Sequence, residues 1–251
     1  MAHLVILGTA NAIPDAEHDN THLAVVGEGG VVLVDCGGSP MLRLRQAGID
    51  PDAITDLIAT HFHPDHVSGI PLLLMSMWLT GRQAPLRIYG LHHCLERLED
   101  MMGFFQWHNW PNFFPVAFHR LPEQERVVVL ERPDVRILAS PVRHMVPTIA
   151  LRFEGLPDGR SVCYSSDTEP CLALVALASG AGVLLHEASG DGLGHSSAIQ
   201  AGETATHAGV RRLLLIHYPT GAGLAQELLM QARAAFRGEA DLAQDLLELE
   251  L

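Results

Sequence analysis

The chain predicts an α/β fold with mixed β-sheets, and three observations support this. Apolar runs of strand length, such as His3–Gly8, Ile54–Thr60, Val183–His186 and Arg212–Ile216, alternate with longer segments of helical periodicity. Several neighbouring strands are joined by short glycine-containing turns, so antiparallel hairpins must share the sheets with parallel strands. Isolated His and Asp residues stand at the ends of the apolar runs, and strand ends on one side of an α/β sheet converge. The 251 residues show no internal repeat, low-complexity stretch or linker, and one domain over 1–251 is the economical reading.

Taken in order, His3–Gly8 reads as the first strand, followed by a small-residue loop over Gly8–Pro14. His22–Gly27 and Val31–Gly37 form a hairpin around Glu28-Gly29-Gly30. Asp35 has two roles open to it, orienting a nearby histidine or stabilising its own turn. Ser39 and Pro40 fit the N-cap and first position of a helix that Gly48 ends. After the strand Ile54–Thr60, a helix is expected over Val67–Thr80, then a strand over Leu86–Tyr89 and a helix over His92–Met102. His92, His93 and Glu96 read as a surface cap of that helix. The segment Gly103–His119 has another texture. It holds seven of the chain's fourteen aromatic residues, with two Pro and two Asn that interrupt a helix. A loop is expected there, packed on the core, walling a substrate pocket or forming a dimer contact. His108 within it is a candidate substrate contact.

The second half repeats the alternation. Strands are expected over Arg126–Leu130 and Val135–Ala139, and a hairpin joins Thr148–Glu154 to Ser161–Tyr164 through Pro157-Asp158-Gly159. A helix over Glu169–Ser179 precedes the buried strand Val183–His186. The glycine-rich loop Gly190–Gly194 leads into a helix reaching His207. The strand Arg212–Ile216, a helix over Ala222–Phe236 and an acidic tail, Asp241–Leu251, complete the chain, the tail reading as a last strand or short helix.

Composition narrows the function. Hydrophobic content of 48% and charged content of 18% describe an ordinary soluble protein. The longest apolar run, Pro71–Leu79, is too short to span a bilayer, so no membrane association is expected. The N-terminus runs straight into a strand without a basic leader, and no signal peptide is expected. Four cysteines without framework spacing suit a reducing, cytoplasmic location. Formal net charge is −13, and all 16 basic residues are arginine. Nucleic-acid binders neutralise phosphates with a basic patch, so this balance argues against tRNA and for a small-molecule substrate.

The chemistry concentrates in Thr60-His61-Phe62-His63-Pro64-Asp65-His66, at the end of an apolar strand. Residues i and i+2 of an extended segment point to one side, so His61 and His63 can grip one ion together. Pro64 breaks the strand, and Asp65 and His66 face away, able to hold a second ion nearby. Three imidazoles and a carboxylate in this arrangement read as a transition-metal site rather than a solvated turn. Further polar residues end other strands: His144, Asp167 and His217.

The order His-x-His-x-Asp-His, then His144, then Ser-x-Asp-Thr at Asp167, then Gly-His-Ser at His195, then a strand ending at His217 resembles the ribonuclease Z branch of the metallo-β-lactamase superfamily. The opening Leu-Gly-Thr-Ala-Asn-Ala-Ile-Pro, with Asp19-Asn20-Thr21 after it, resembles it too, and the likeness covers nearly the whole chain. It implies the four-layer αββα sandwich, the metallo-β-lactamase fold, with metals in the cleft between two mixed sheets. It implies that His61, His63 and His144 hold one divalent ion, that Asp65, His66 and His217 hold a second, and that Asp167 bridges them. Zinc is the expected metal, and imidazole with carboxylate also suits manganese or iron. Two such ions clamp a phosphoryl or acyl oxygen and acidify a water between them. Asp65 would orient or deprotonate that water. His195 matches the donor of a proton to the leaving group, and Glu187 would hold its tautomer. A homodimer is also implied.

Two departures bear on the substrate. The second motif reads Ser165-Ser166-Asp167-Thr168 where a glycine is expected before the aspartate. No long lysine- or glycine-rich insertion matches the exosite arm with which tRNA-processing members grip their substrate. The expected function is therefore a dinuclear metal-dependent hydrolase acting on a small phosphodiester or cyclic nucleotide. Ribonuclease Z-type cleavage of tRNA at its 3′ side is the alternative, and hydrolysis of a thioester, lactone or aryl sulfate is a third class.

Overall fold

The computed structural model describes residues 1–221 and 223–251. Strands β1 (His3–Gly8), β2 (His22–Gly27) and β3 (Gly30–Val34) open the chain as an antiparallel meander. Their side chains alternate between two dry interiors: Leu4, Ile6, Leu23 and Val25 face one, and Val5, Leu7 and Ala24 the other. Both faces of the sheet are thus buried, which explains why the strands read as continuous apolar runs. From β3 the sheet continues in parallel through β4 (Ile54–Ile58), β5 (Leu86–Leu91) and β6 (Val116–Leu121). The last strand, β14 (Glu248–Glu250), returns to pair with β1, giving the order β14-β1-β2-β3-β4-β5-β6.

The second sheet has the same plan. β7 (Val127–Glu131), β8 (Val135–Val142), β9 (Thr148–Gly155) and β10 (Ser161–Tyr164) run antiparallel, then β11 (Val183–Glu187), β12 (Arg212–Ile216) and β13 (Glu239–Leu242) continue in parallel. Its order is β13-β12-β11-β10-β9-β8-β7. The sheets pack face to face through Leu4, Ile6, Val34, Ile137, Phe153, Tyr164, Leu214 and Ile216. Helices α1 (Pro40–Gln46), α3 (Ile70–Leu79) and α4 (His92–Phe104) cover the outer face of the first sheet through Leu44, Leu73, Leu74, Leu95 and Leu98. Helices α5 (Leu172–Ala178), α6 (Ala198–Ala208) and α7 (Leu224–Ala235) cover the second through Leu174, Leu177, Ala201 and Ala232. The architecture is a four-layer αββα sandwich of two mixed sheets.

Several expectations need correction. The strand expected to reach Gly37 stops at Val34, because Asp35 takes a left-handed backbone conformation (φ 58°). The strand expected to reach Thr60 stops at Ile58. The single helix expected over Val67–Thr80 is two, α2 (Pro64–Val67) and α3, separated where the Gly69 amide leaves the helix to donate to Cys36 O at 2.8 Å. Ser39 stands at the N-cap of α1 without making the capping hydrogen bond. The aromatic segment is not all loop: α4 extends to Phe104, and Val116–Leu121 forms the edge strand β6. Helix α5 starts at Leu172 rather than Glu169, whose amide donates to Arg143 O. Helix α7 starts at Leu224; the expected start at Ala222 lies outside the described residues. The acidic tail, expected as one strand or short helix, holds the end of β13 and all of β14, which lie in different sheets.

Candidate metal centre and active site

The candidate site lies where β4, β10, β11 and β12 end. After β4 the backbone stays extended at His63 (φ −114°, ψ 152°) before Pro64 opens α2. His61 and His63 therefore face the same side, with His61 Nε2 3.1 Å from His63 Nδ1. His144, beyond β8, brings its Nε2 to 3.1 Å from the same His63 nitrogen. Asp167 Oδ2 faces this trio, 3.7 Å from His61 Nε2 and 3.9 Å from His144 Nε2. Helix α2 turns Asp65 and His66 to the other side of Asp167. His66 Nε2 lies 3.4 Å from Asp167 Oδ1 and 3.5 Å from Asp65 Oδ2. His217, directly after β12, places Nε2 3.3 Å from Asp167 Oδ2 and 3.8 Å from Asp65 Oδ2. All seven residues singled out as ligands thus meet in two four-donor groups that share Asp167, with the donor atoms of each group within 4.8 Å of one another.

The donor set fits two divalent ions. His66 Nδ1 donates to Asp35 Oδ2 (2.8 Å) and His144 Nδ1 donates to Gly194 O (2.6 Å), so each ring presents a bare Nε2 to the cluster. Among the described residues, His66 Nε2 and Asp167 Oδ1 are buried without a hydrogen-bond partner. A cation between them would satisfy both groups in this dry site. Nitrogen–nitrogen edges of 3.1 Å are close to the roughly 3.3 Å separating ligands on a tetrahedral ion with bonds of about 2.0–2.1 Å. Protonation follows the same electrostatics. Burial holds His61, His63 and His144 below the ordinary imidazole value. Burial would lower His66 too, but Asp167 and Asp35 outweigh it and hold the ring well above that value. Burial would raise Asp167, yet His217 and His66 keep it well below the usual carboxylate range.

Three strained residues lie here. Asp35 (φ 58°), Ser166 (φ 52°) and His217 (φ 51°) each follow a strand and take the left-handed conformation that non-glycine residues avoid. Each such residue costs on the order of 1–3 kcal/mol and persists because its surroundings over-determine it. Asp35 is fully buried; besides His66 it accepts from Thr60 N and Thr60 Oγ1, both at 2.8 Å. Of its two possible roles, the histidine-orienting contact is present. Gly194 (φ 81°) has no room for a side chain, since a Cβ there would stand 2.8 Å from His144 Nδ1.

Glu187 ends β11 with no exposed side chain, and three donors converge on its carboxylate. His195 Nδ1 lies 3.0 Å and Thr168 N 2.8 Å from Oε1, and Ser189 N lies 3.1 Å from Oε2. Burial pushes the Glu187 carboxyl up, against the hydrogen bond from His195. That hydrogen bond raises His195 above the ordinary imidazole value, against its partial burial. The His195 ring overhangs the cluster, 4.9 Å between centroids from His144 and stacked 6.2 Å from His217. Among the described residues the hydrogen bond to Glu187 engages Nδ1, which leaves Nε2 to serve a reacting group.

Other sequence candidates lie elsewhere. His92 pairs with Glu96 (3.8 Å) and takes a hydrogen bond from Arg120 (3.2 Å), outside both donor groups. His108 sits in the 3-10 turn Trp107–Asn109 and lines a separate cavity with Trp110 and Phe113. Phe113 and Phe118 pack inward and Trp78 stacks on Trp110 at 5.1 Å, while Phe104 is 85% exposed. Sequence reasoning gave Thr60 and Gly194 no role and noted Ser166 only as a departure from the motif. The hydroxyls next to His61 and Asp167 were the available signal, but their partners lie far away in the chain.

Residues 31–218 match the family described as beta-lactamase superfamily domain. A protein named ribonuclease Z from Methanothermobacter thermautotrophicus is 31% identical, the match covering 100% of this chain and 97% of that protein. A ribonuclease Z from Mycobacterium sp. (strain KMS) is 33% identical, covering 100% and 96%. Among solved structures, the metallo-beta-lactamase fold protein YhfI from Bacillus subtilis superposes with a TM-score of 0.83 at 22% identity, covering 100% of this chain and 99% of that one. The short form of human tRNase Z superposes with a TM-score of 0.78 at 22% identity, covering 99% and 98%. The chain is a hydrolase of the metallo-β-lactamase superfamily and belongs to its ribonuclease Z-like branch.

Proposed function

We propose that this protein is a zinc-dependent phosphodiesterase of the ribonuclease Z type, cutting an RNA phosphodiester to leave a free hydroxyl on the departing side. The observation that carries the reading is the meeting of two four-donor groups at Asp167, overhung by the Glu187–His195 pair. Full-length relatives named ribonuclease Z support RNA as the substrate and reverse the ranking suggested by the acidic composition, which puts a small diester first.

Two divalent ions held there would clamp a phosphoryl oxygen and make a water acidic enough to attack near neutral pH. Asp65, whose Oδ2 faces the same space, accepts a proton from the attacking water. A new P–O bond forms as the bond to the leaving oxygen breaks. His195, charged and held by Glu187, gives its Nε2 proton to that oxygen. Glu187 touches no substrate; it orients the ring and stabilises its charged form.

One structural observation favours a second reading, a small phosphodiester. The interval from His144 to Asp167 holds only a loop, β9, a tight turn and β10. The match to the Methanothermobacter relative runs over 311 positions against 251 residues here, so that relative carries stretches without a counterpart. We place the protein in the cytoplasm, in keeping with four free cysteines. We also propose that it is a homodimer, with the contact at the exposed apolar residues Leu72, Met75, Phe104 and Phe105 of α3 and the end of α4.

Metal-loaded and chelated protein should be assayed in parallel on a precursor tRNA and on bis(p-nitrophenyl) phosphate. Metal-dependent trimming of the tRNA 3′ side is the expected result. Cleavage of the small diester with intact tRNA would transfer the proposal to the second reading. No cleavage of either would overturn phosphodiester chemistry.

A further inference from the structure

Ser166 stands where the branch is expected to carry glycine, and its backbone has the left-handed conformation (φ 52°) that glycine adopts without strain. The residue is fully buried, so its hydroxyl must find a partner inside the protein. It donates to Thr60 Oγ1 at 3.0 Å. Thr60 Oγ1 in turn donates to Asp35 Oδ2 at 2.8 Å and lies 3.0 Å from His61 Nδ1. The count closes: one hydroxyl oxygen accepts from Ser166 and from His61 Nδ1–H, and spends its single proton on Asp35. Asp35 Oδ2 also accepts from His66 Nδ1. One chain of hydrogen bonds therefore reaches His61 in the first donor group and His66 in the second. It starts from a residue that follows β10 in the opposite sheet.

We propose that Ser166 is a positioning residue that locks the tautomers and ring orientations of His61 and His66 through Thr60 and Asp35, coupling the two halves of the metal centre. The inference rests on the metal-ligand reading of His61 and His66 given above. With the Ser166 proton in place, Thr60 has one acceptor site left and must take the His61 Nδ1–H, leaving His61 Nε2 bare for a metal. Without it, Thr60 Oγ1 keeps only its bonds to Asp35 and His61, and one of the three contacts that fix its position is lost. The backbone strain at Ser166 is then the cost of a hydroxyl in a place that glycine would fill freely.

Two variants separate this role from a merely structural one. Ser166→Gly removes the hydroxyl and relieves the strain, whereas Ser166→Ala removes the hydroxyl and keeps the strain. Wild-type and variant proteins, freed of metal with a chelator, are titrated with Zn²⁺ or Co²⁺ against a chromogenic chelator, and thermal midpoints are recorded without metal. The expected result is two ions bound by the wild type and roughly 10- to 100-fold weaker binding in both variants. The Tm of the metal-free Ser166→Gly protein should equal or exceed that of the wild type. Two ions bound by Ser166→Gly within twofold of wild-type affinity would overturn the positioning role and leave the metal site standing. A wild type that takes up neither ion would overturn the metal-ligand reading itself, and the proposal with it. Ser166→Gly suffices if Ser166→Ala does not fold.

Discussion

Replacing Glu187 by glutamine is the most informative single change outside the ligand set. The side chain keeps its shape, and its amide oxygen can still accept from His195 Nδ1 and Thr168 N, now 3.0 and 2.8 Å from Oε1. The amide nitrogen would then face Ser189 N, 3.1 Å from Oε2, donor against donor. Leaving that buried pair unsatisfied costs about 1–3 kcal/mol of stability, which a domain of this size can absorb. The larger effect is on His195, which loses the carboxylate that raises it. A general acid works while protonated, so activity falls as pH rises through its pKa. In the wild type that alkaline limb lies above the ordinary imidazole value; in Glu187→Gln it moves to lower pH. The rate loss is bounded by the whole contribution of a general acid, about 10²–10⁴-fold. The assay is kcat against pH on two diesters, one with a p-nitrophenyl leaving group that departs without a proton and one with an alkyl leaving group that needs it. The alkyl substrate should lose more. An unmoved alkaline limb with equal losses on both substrates would refute the role of Glu187 and leave it as buttressing only.

Asp167→Ala should lose both ions, because Asp167 is the one residue common to both donor groups; metal analysis should find less than one ion per chain, and activity should fall by more than the roughly 10–100-fold that follows loss of an outer contact. Gly37→Ala would place a Cβ 1.8 Å from Asp65 O, and overpacking of this kind costs about 1–3 kcal/mol or more; metal affinity should fall along with Tm, whereas a Tm change alone would mean the loop relaxes without disturbing the site. If Phe104 and Phe105 form the proposed dimer contact, changing both to glutamate should halve the mass measured by sedimentation while metal content stays at two ions per chain.

Much of this architecture can be read from residue types because its determinants are local. The continuous apolar runs of β1 and β2, the capping box of Ser197 and Gln200 at the start of α6, and the extended run through His61 and His63 all arise within a few residues. Strand ends converge in an α/β sheet, so polar residues at those ends were the natural candidates for a site. What could not be read depends on distant partners. The break between α2 and α3 is made by Cys36, far from Gly69 in sequence. The edge strand β6 is hidden in an aromatic segment whose composition suits a loop equally well. The roles of Thr60 and Ser166 depend on a contact spanning 106 positions between the sheets. A formal charge of −13 is a sum over the surface and carries no map of the groove, so it says nothing local about where a polyanion could lie.

The central claim is that this cleft holds two divalent ions on seven named side chains. Anomalous X-ray diffraction at the zinc edge from crystals of the metal-loaded protein tests it directly. Two peaks roughly 3.5–4 Å apart are predicted, one among His61, His63, His144 and Asp167 and one among Asp65, His66, Asp167 and His217. Peaks elsewhere in the molecule, or none in this cleft from protein shown to contain zinc, would contradict the account.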